Sequence, residues 1–409
     1  PSDAKGKSSR LRSRFAFACL LDAAGGFVYP WIIMPTLMLI NANRMTPPIA
    51  PIGLDYVAAA ARTAGLDTEV LDLCLGDGAE ARMVESLQRQ SWELIGISFR
   101  NVDDCFWPGG AWFVSDLMGL VWLVRQLSDA PVVLGGVGYS IFSREILGRT
   151  GADFGVRGDG EHALASLVRE LRGERRFDRV DGLLWRDGGQ IRENPPAWPS
   201  PWAAPTSRDA VDNDTYFRRG GQIGVETRRG CPRNCLYCAD PLAKGAASRL
   251  RDPAEVADEI AGLVARGIDV LHLCDSEFNI PAAHARAVCQ ELIRRRLGQR
   301  VRWYAYLAVV PFDAELAGLM RRAGCVGINF TGDSASATML KTYGQSHHRD
   351  DLADVVRRCR AEGIAVMLDL LLGGPGETPE TVGETIEQVR RIGPDCAGAA
   401  LGLRLYPRT

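Results

Sequence analysis

The sequence predicts an α/β protein made of two successive architectures. A doubly wound, Rossmann-like parallel sheet is expected over residues 34–173 and a partial (β/α)6 barrel over residues 222–409. Three observations predict it. Short continuous apolar runs alternate with helical stretches through both parts, as parallel strands covered on both faces require. Six strand–helix units follow residue 222, a count that suits a partial barrel better than a second open sheet. Between the two parts, residues 174–221 break the alternation with Asn194-Pro195-Pro196-Ala197-Trp198-Pro199-Ser200-Pro201-Trp202, which no helix accommodates.

Residues 1–33 are expected as an irregular extension ahead of a natural start near Met34. Lys5 to Arg14 is basic and the stretch after it largely apolar, but Asp22, Pro30 and Pro35 interrupt it, so neither signal peptide nor membrane anchor is read there. The first domain then runs as a strand at 36–41, a helix at 53–64, a strand at 69–73 and a helix at 79–90. Further strands follow at 94–98, 131–136 and 153–156, closed by a helix at 161–172. In the connector, residues 180–191 read as a hairpin around Asp187-Gly188-Gly189, and Trp198 and Trp202 are expected to pin it to a neighbouring domain. Barrel strands are expected at 223–226, 270–274, 301–306, 326–330, 365–371 and 399–405, with helices such as 253–265 and 378–392 between them.

Ligands of such sheets sit beyond the carboxyl ends of the strands. In the first domain those ends carry Asn41, then Ser98, Arg100 and Asn101, then Gly135, Gly136 and Gly138, then Gly158, Gly160 and Glu161. Glycines at successive ends either make ordinary tight turns or let a large flat ligand approach the backbone. A dinucleotide is disfavoured, because no G-x-G-x-x-G follows the first strand. In the barrel, the first strand leads into Gly230-Cys231-Pro232-Arg233-Asn234-Cys235-Leu236-Tyr237-Cys238. So tight a C-x3-C-x2-C loop can aim three thiolates at three irons of a 4Fe–4S cube, leaving the fourth iron open. Zinc is the rival, but no second C-x2-C knuckle is present, and buried structural cysteines would not explain the flanking glycine and aromatic. Cys274, Cys289, Cys325, Cys359 and Cys396, on separate strands and helices, read as core filler.

A formal charge of -2 over 409 residues gives no reason to expect nucleic acid or an anionic membrane as partner. The 11 cysteines, an odd number scattered along the chain, indicate reduced thiols and a cytoplasmic protein.

The cysteine loop, with Tyr237 before its last thiol, resembles the signature of the radical S-adenosylmethionine (radical SAM) enzymes, whose open iron binds SAM. Pro47-Pro48 with Pro51-Ile52-Gly53-Leu54, Gly135-Gly136-Val137-Gly138 and Arg157-Gly158-Asp159-Gly160-Glu161 together resemble the cobalamin-binding domain that precedes many radical SAM cores. The resemblance implies three cofactors: a 4Fe–4S cluster on Cys231, Cys235 and Cys238, SAM, and cobalamin. It places Asp275-Ser276-Glu277-Phe278-Asn279 where the family commonly has Gly-Gly-Glu, so Glu277 or Asp275 would receive the SAM ammonium. Glu277 could instead ligate the fourth iron itself. Asp333 and Ser334 would serve the SAM ribose or carboxylate, and Gly374 and Gly376 would lie against adenine, although that turn reads equally as structural. Tyr304 or Tyr306 would meet substrate or act in acid–base chemistry, against the ordinary reading as packing residues. The D-x-H-x-x-G of histidine-on corrinoid proteins is missing and the first domain's only histidine is His162, so Arg100, Asn101 or water would face the lower side of cobalt.

The implied activity is a cobalamin-dependent radical SAM methyltransferase, moving a methyl group from SAM through cobalamin to an unactivated or aromatic carbon. A cobalamin-dependent cyclase or rearrangement enzyme and a non-catalytic corrinoid or cluster carrier are the alternatives. A small molecule or peptide is the expected substrate, and a flavodoxin- or ferredoxin-type protein the external electron donor. Relatives generally continue beyond Thr409, so a truncated carboxyl end is expected too.

Overall fold

The computed structural model describes residues 36–76, 78–104, 110–202, 204–205 and 207–407, with two short strands nearer the amino terminus. The chain divides into two compact units, residues 1–34 and 35–409. In the first, β1 (Leu20–Leu21) pairs antiparallel with β2 (Phe27–Val28). The remainder of the extension expected over 1–33 lies outside the described residues.

The second unit opens with β3 (Leu37–Asn41), every residue of which is buried. Residues 37 and 39 point to one face and 38 and 40 to the other, so a strand apolar throughout must be covered twice. Helices α1 (Ile52–Thr63) and α6 (Gly160–Arg172) cover the first face, packing Leu54, Ala58, Leu164 and Leu167 onto Leu37 and Leu39. Helices α2 (Ala79–Arg89) and α3 (Val114–Leu127) cover the second, with Met83, Leu87, Leu117 and Val121 against Met38 and Ile40. Strands β4 (Thr68–Asp72), β5 (Leu94–Ser98), β6 (Val132–Gly135) and β7 (Phe154–Val156) complete a parallel sheet in the order β4-β3-β5-β6-β7. Two short helices, α4 (Val137–Ile141) and α5 (Ser143–Arg149), connect β6 to β7.

The hairpin read into the connector is not a linker. Its strands, β8 (Leu183–Asp187) and β9 (Gln190–Glu193), join the same sheet antiparallel beside β7, because Leu183 and Leu184 are buried there.

The barrel sheet runs β10 (Gly224–Val225), β13 (Val270–Leu273), β14 (Arg302–Ala308), β15 (Cys325–Asp333), β16 (Ala365–Leu372) and β17 (Cys396–Leu401), all parallel and in chain order. A small antiparallel ribbon, β11 (Arg228–Arg229) with β12 (Arg249–Leu250), interrupts the series after β10. The last strand lies at 396–401, not 399–405, in register with Met367–Leu372 of β16.

Short helices α7 (Asn213–Arg218) and α8 (Asp240–Lys244) belong to the connector and to the segment after the cysteine loop. Helices α9 (Pro253–Ala265), α10 (Ala282–Arg294) and α11 (Ala314–Arg322) follow, then α12 (Ala337–Tyr343), α13 (Arg349–Ala361) and α14 (Pro379–Ile392). Apolar residues of α9, α10, α11 and α13 pack on Leu271, Leu273, Trp303, Ala305, Ile328 and Phe330. With period two along each strand, His272, Tyr304, Tyr306, Asn329, Thr331 and Asp369 are left facing the lumen.

A buried ionic network binds the two halves. Arg208 of the connector donates Nε to Asp55 of α1 at 2.7 Å and Nη1 to Glu259 of α9 at 2.7 Å. Glu259 also accepts from Tyr56 and Arg251. Trp202 lies under the Arg229 guanidinium at 4.1 Å and Trp198 under Arg249 at 5.1 Å, so both tryptophans of the proline-rich run pin the connector.

Candidate active site

The carboxyl ends of the two sheets meet around a cavity of about 360 Å³. Ser98, Arg100, Asn101, Gly135, Gly136, Gly158, Gly160 and Glu161 all line it, so most strand-end positions singled out in the sequence converge. Gly136, at φ +101°, shows why a side chain is excluded, since a Cβ there would stand 2.7 Å from Phe99 O. Two expected contacts are not made. Asn41 is buried with its Nδ2 donating to Asp72 Oδ1 at 2.8 Å and to Tyr216 OH at 3.2 Å, which spends it on the sheet edge. Gly138 packs against the β5 loop, its N–H donating to Arg100 O at 2.9 Å, instead of lining the cavity.

The barrel side of this cavity was not legible in the sequence. It is built by Gln222, Gly224, Glu226, Arg229, Lys244, His272 and Cys274. Cys274 is therefore wall, not core filler, and Cys396 is exposed, whereas Cys289, Cys325 and Cys359 are buried. Burial, with Arg100 and Lys244 adding positive charge, pushes His272 down to about 4, so its ring is neutral; it stacks on Tyr304 at 4.7 Å. His162 is exposed on α6, away from the cavity lining.

The cysteine loop follows the β11 ribbon. Its entry is set by Asp275, whose Oδ1 accepts from Thr227 N at 2.7 Å and Arg228 N at 3.1 Å, and whose Oδ2 accepts from Thr227 Oγ1 at 2.6 Å. Asp275 is thus committed to the backbone corner, and of the two carboxylates considered for the SAM ammonium only Glu277 remains free to serve. Glu277 Oε1 accepts from Thr331 Oγ1 at 2.8 Å, while Oε2 is buried with no hydrogen-bond partner among the described residues. Burial pushes its carboxyl up to about 7.

The three thiols lie close enough to act on one another. Burial raises Cys238 to about 12, with Asp240, Cys235 and Cys231 adding to it, and burial raises Cys235 against the nearby Arg233 charge, with Asp333, Cys231 and Glu277 adding to the rise. A site that crowds thiols and a buried carboxylate so that Cys235 and Cys238 are held from ionising suits a positively charged group among them. The donor set, three sulfurs on one loop and a carboxylate, fits an iron–sulfur cube. Among the described residues no three His, Cys, Asp or Glu side chains converge on a single-ion site.

The remaining expected residues divide. Asp333 Oδ2 accepts from Tyr237 OH at 2.6 Å, which puts it beside the cluster loop; burial raises its carboxyl to about 6. Ser334 is wholly buried, its hydroxyl bonded to Thr385 Oγ1 at 2.8 Å and accepting from Ser336 N, so it shapes the turn and is not open to a ribose. Gly374 leaves room for the Tyr343 ring, and Gly376 supplies φ +80° to an exposed turn; neither borders the cavity. Tyr304 and Tyr306 both face the lumen, the latter 36% exposed. Burial holds both phenols above their usual value, Tyr304 at about 12, so both stay protonated near neutral pH.

A model described as the radical SAM superfamily matches residues 225–389, and one described as the B12 binding domain matches residues 39–168. The tryptophan 2-C-methyltransferase of Streptomyces laurentii is 33% identical to this chain, covering 91% of it and 73% of that protein. The anaerobic magnesium-protoporphyrin IX monomethyl ester cyclase of Cereibacter sphaeroides is 30% identical over 67% of this chain and 47% of its own length. The solved structure of the radical S-adenosylmethionine methyltransferase TsrM from Kitasatospora setae, with cobalamin and a 4Fe–4S cluster bound, superposes with a TM-score of 0.86 at 33% identity, over 92% of this chain and 76% of that one.

Fold and site together define a cobalamin-dependent radical SAM enzyme, the class expected from the cysteine loop and the glycine-rich strand ends. Within that class, the chain belongs to the methyltransferase family that includes tryptophan 2-C-methyltransferase. No helix among the described residues is long and apolar enough to cross a membrane.

Proposed function

We propose that this chain methylates an aromatic carbon of tryptophan or a closely related indole, and that it does so without releasing an adenosyl radical. The observation that carries the reading is Glu277, with one carboxylate oxygen held by Thr331 and the other buried and unpartnered beside the cysteine loop. Cys231, Cys235, Cys238 and Glu277 would hold the cluster between them, leaving no iron free to chelate SAM. The tryptophan 2-C-methyltransferase likeness supplies the substrate class.

Bound cobalamin supplies a carrier that accepts a methyl group from SAM and passes it to carbon. The chain's own residues orient and enclose. Ser98, Gly135, Gly158 and Gly160 open the sheet end to a flat ring, and Arg100 with Asn101 lines the cavity floor, Arg100 Nη1 donating to Asn101 Oδ1 at 3.0 Å. Tyr304 and Tyr306, protonated and set against His272, present an aromatic, hydrogen-bonding wall to an indole in the lumen. An external one-electron donor of flavodoxin or ferredoxin type would maintain the reduced carrier.

The products of an anaerobic incubation with SAM and tryptophan test this. S-adenosylhomocysteine and methylated tryptophan are expected in equal amounts, with 5′-deoxyadenosine absent from wild type and appearing in Glu277→Ala. Deoxyadenosine formed by wild type in step with product would sink the reading in favour of radical initiation. Deoxyadenosine without any methylated product would favour the cyclase alternative.

A further inference from the structure

The loop carrying the three thiols is held by a short strap, residues 343–346, that none of the site residues above includes. Leu236 N donates to Tyr343 O at 3.2 Å. Gly344, at φ +74°, lies so near the loop that a Cβ there would stand 3.0 Å from Asn234 O. Arg233 donates to the Ser346 hydroxyl. Between these contacts Gln345 turns inward. Its Nε2 donates to Asp333 Oδ2 and lies 3.2 Å from Tyr237 OH and 3.5 Å from Cys235 Sγ.

The orientation of that amide is dictated by its neighbours. Asp333 Oδ2 already accepts the Tyr237 hydroxyl, and an ionised carboxylate only accepts, so the NH2 end must face it. The other end, Oε1, is left buried with no partner among the described residues. An orphaned acceptor is costly, so the contacts of the nitrogen are what hold the amide in this place. One Nε2 proton is taken by the carboxylate; the second is shared between the Tyr237 hydroxyl oxygen at 3.2 Å and the Cys235 sulfur at 3.5 Å.

We propose that Gln345 is a positioning residue that sets the cluster's reduction potential by donating an N–H to the Cys235 sulfur. Reduction adds negative charge that spreads onto the ligating sulfurs. A donor aimed at one of them stabilises the reduced state more than the oxidised state and raises the potential. The proposal rests on the three-cysteine cluster described above. Nothing in it depends on which carbon is methylated.

The test is a potentiometric titration of the anaerobically reconstituted full chain without SAM, followed by electron paramagnetic resonance, for wild type, Gln345→Ala and Gln345→Glu. Gln345→Ala is expected to show about a tenfold lower ratio of reduced to oxidised cluster at a fixed potential, which is about 59 mV for a one-electron couple. Gln345→Glu keeps the shape but replaces the donor with an anion, so its potential should fall further. Variants with the full iron content and the wild-type potential would overturn the inference. So would variants that cannot take up the cluster, because Gln345 would then be building the loop and not tuning it. A wild-type chain that takes up no cluster would instead overturn the site assignment itself.

Discussion

His347 is 1% exposed, with Nε2 against Gly332 O at 3.1 Å and Nδ1 buried with no partner among the described residues. Charging it would bury a second donor with nothing to receive it, so burial holds the ring down to about 4 against an ordinary 6.5. The unfolded chain therefore binds the proton first as pH falls. Stability is whole above pH 6.5 and drains away between 6.5 and 4, by an amount on the order of 3 kcal/mol for a shift of that size. His347→Gln keeps a donor for Gly332 O and cannot titrate. Its thermal midpoint should match wild type near pH 7.5 and exceed it by a growing margin towards pH 4.5; parallel pH curves would contradict this account. His272 and His284 are likewise held neutral by burial, so the single variant should recover only part of the loss.

At the scale of elements, the β11–β12 ribbon joins the cavity wall to the cluster loop. Arg229 of β11 pairs with Glu161 at 2.7 Å and with Glu226 at 2.8 Å, and the next residue, Gly230, starts the cysteine loop. Gly230 turns at φ +82°, and a Cβ there would run into Ala247 O on the strand-to-strand connection. Gly230→Ala should therefore cost about 1–2 kcal/mol from the left-handed backbone alone, with the steric conflict added. Because the strain falls on the loop and not on the core, the expected result is a folded chain by circular dichroism with a clearly reduced iron content after reconstitution. Full iron uptake with wild-type stability would show that the ribbon can shift without disturbing the thiols.

For the whole molecule, a buried ionic network joins the halves beside the apolar contacts in which Ala50, Val70 and Leu75 pack with the barrel core. Arg208 is 3% exposed on its side chain, and Asp55 and Glu259 are 0% exposed. Such networks gain little over an apolar contact, but removing one member strands the others. Arg208→Ala should destabilise the chain by roughly 3 kcal/mol, read as a lower urea midpoint. Glu259 keeps Arg251, and Asp55 keeps the Asn213 amide, so the loss stays at the lower end of the range for buried pairs. A change within about 0.5 kcal/mol, the usual size for a surface site, would mean that water reaches the junction.

What the sequence determined by itself is what local spacing encodes. The buried run Leu37–Asn41 announces a strand covered on both faces, and alternation with helices leaves a parallel sheet as the solution. The three cysteines were legible because one loop carries all of them, and the glycine strand ends because a parallel sheet always turns those ends to its ligand face. Tertiary structure alone decided which strand-end side chains stay free. Asn41, Asp275 and Ser334 occupy the expected places, yet long-range partners, Tyr216, Thr227 and Thr385, consume their polar groups. It also decided that the hairpin at 183–193 closes the sheet, since an edge strand finds its neighbour only when the sheet exists. His272, Lys244 and Gln345 gave no signal, because no motif surrounds them. Their positions follow from how the barrel packs against the first sheet and how the strap from α12 meets the cysteine loop, contacts between residues far apart in the chain that no local pattern records.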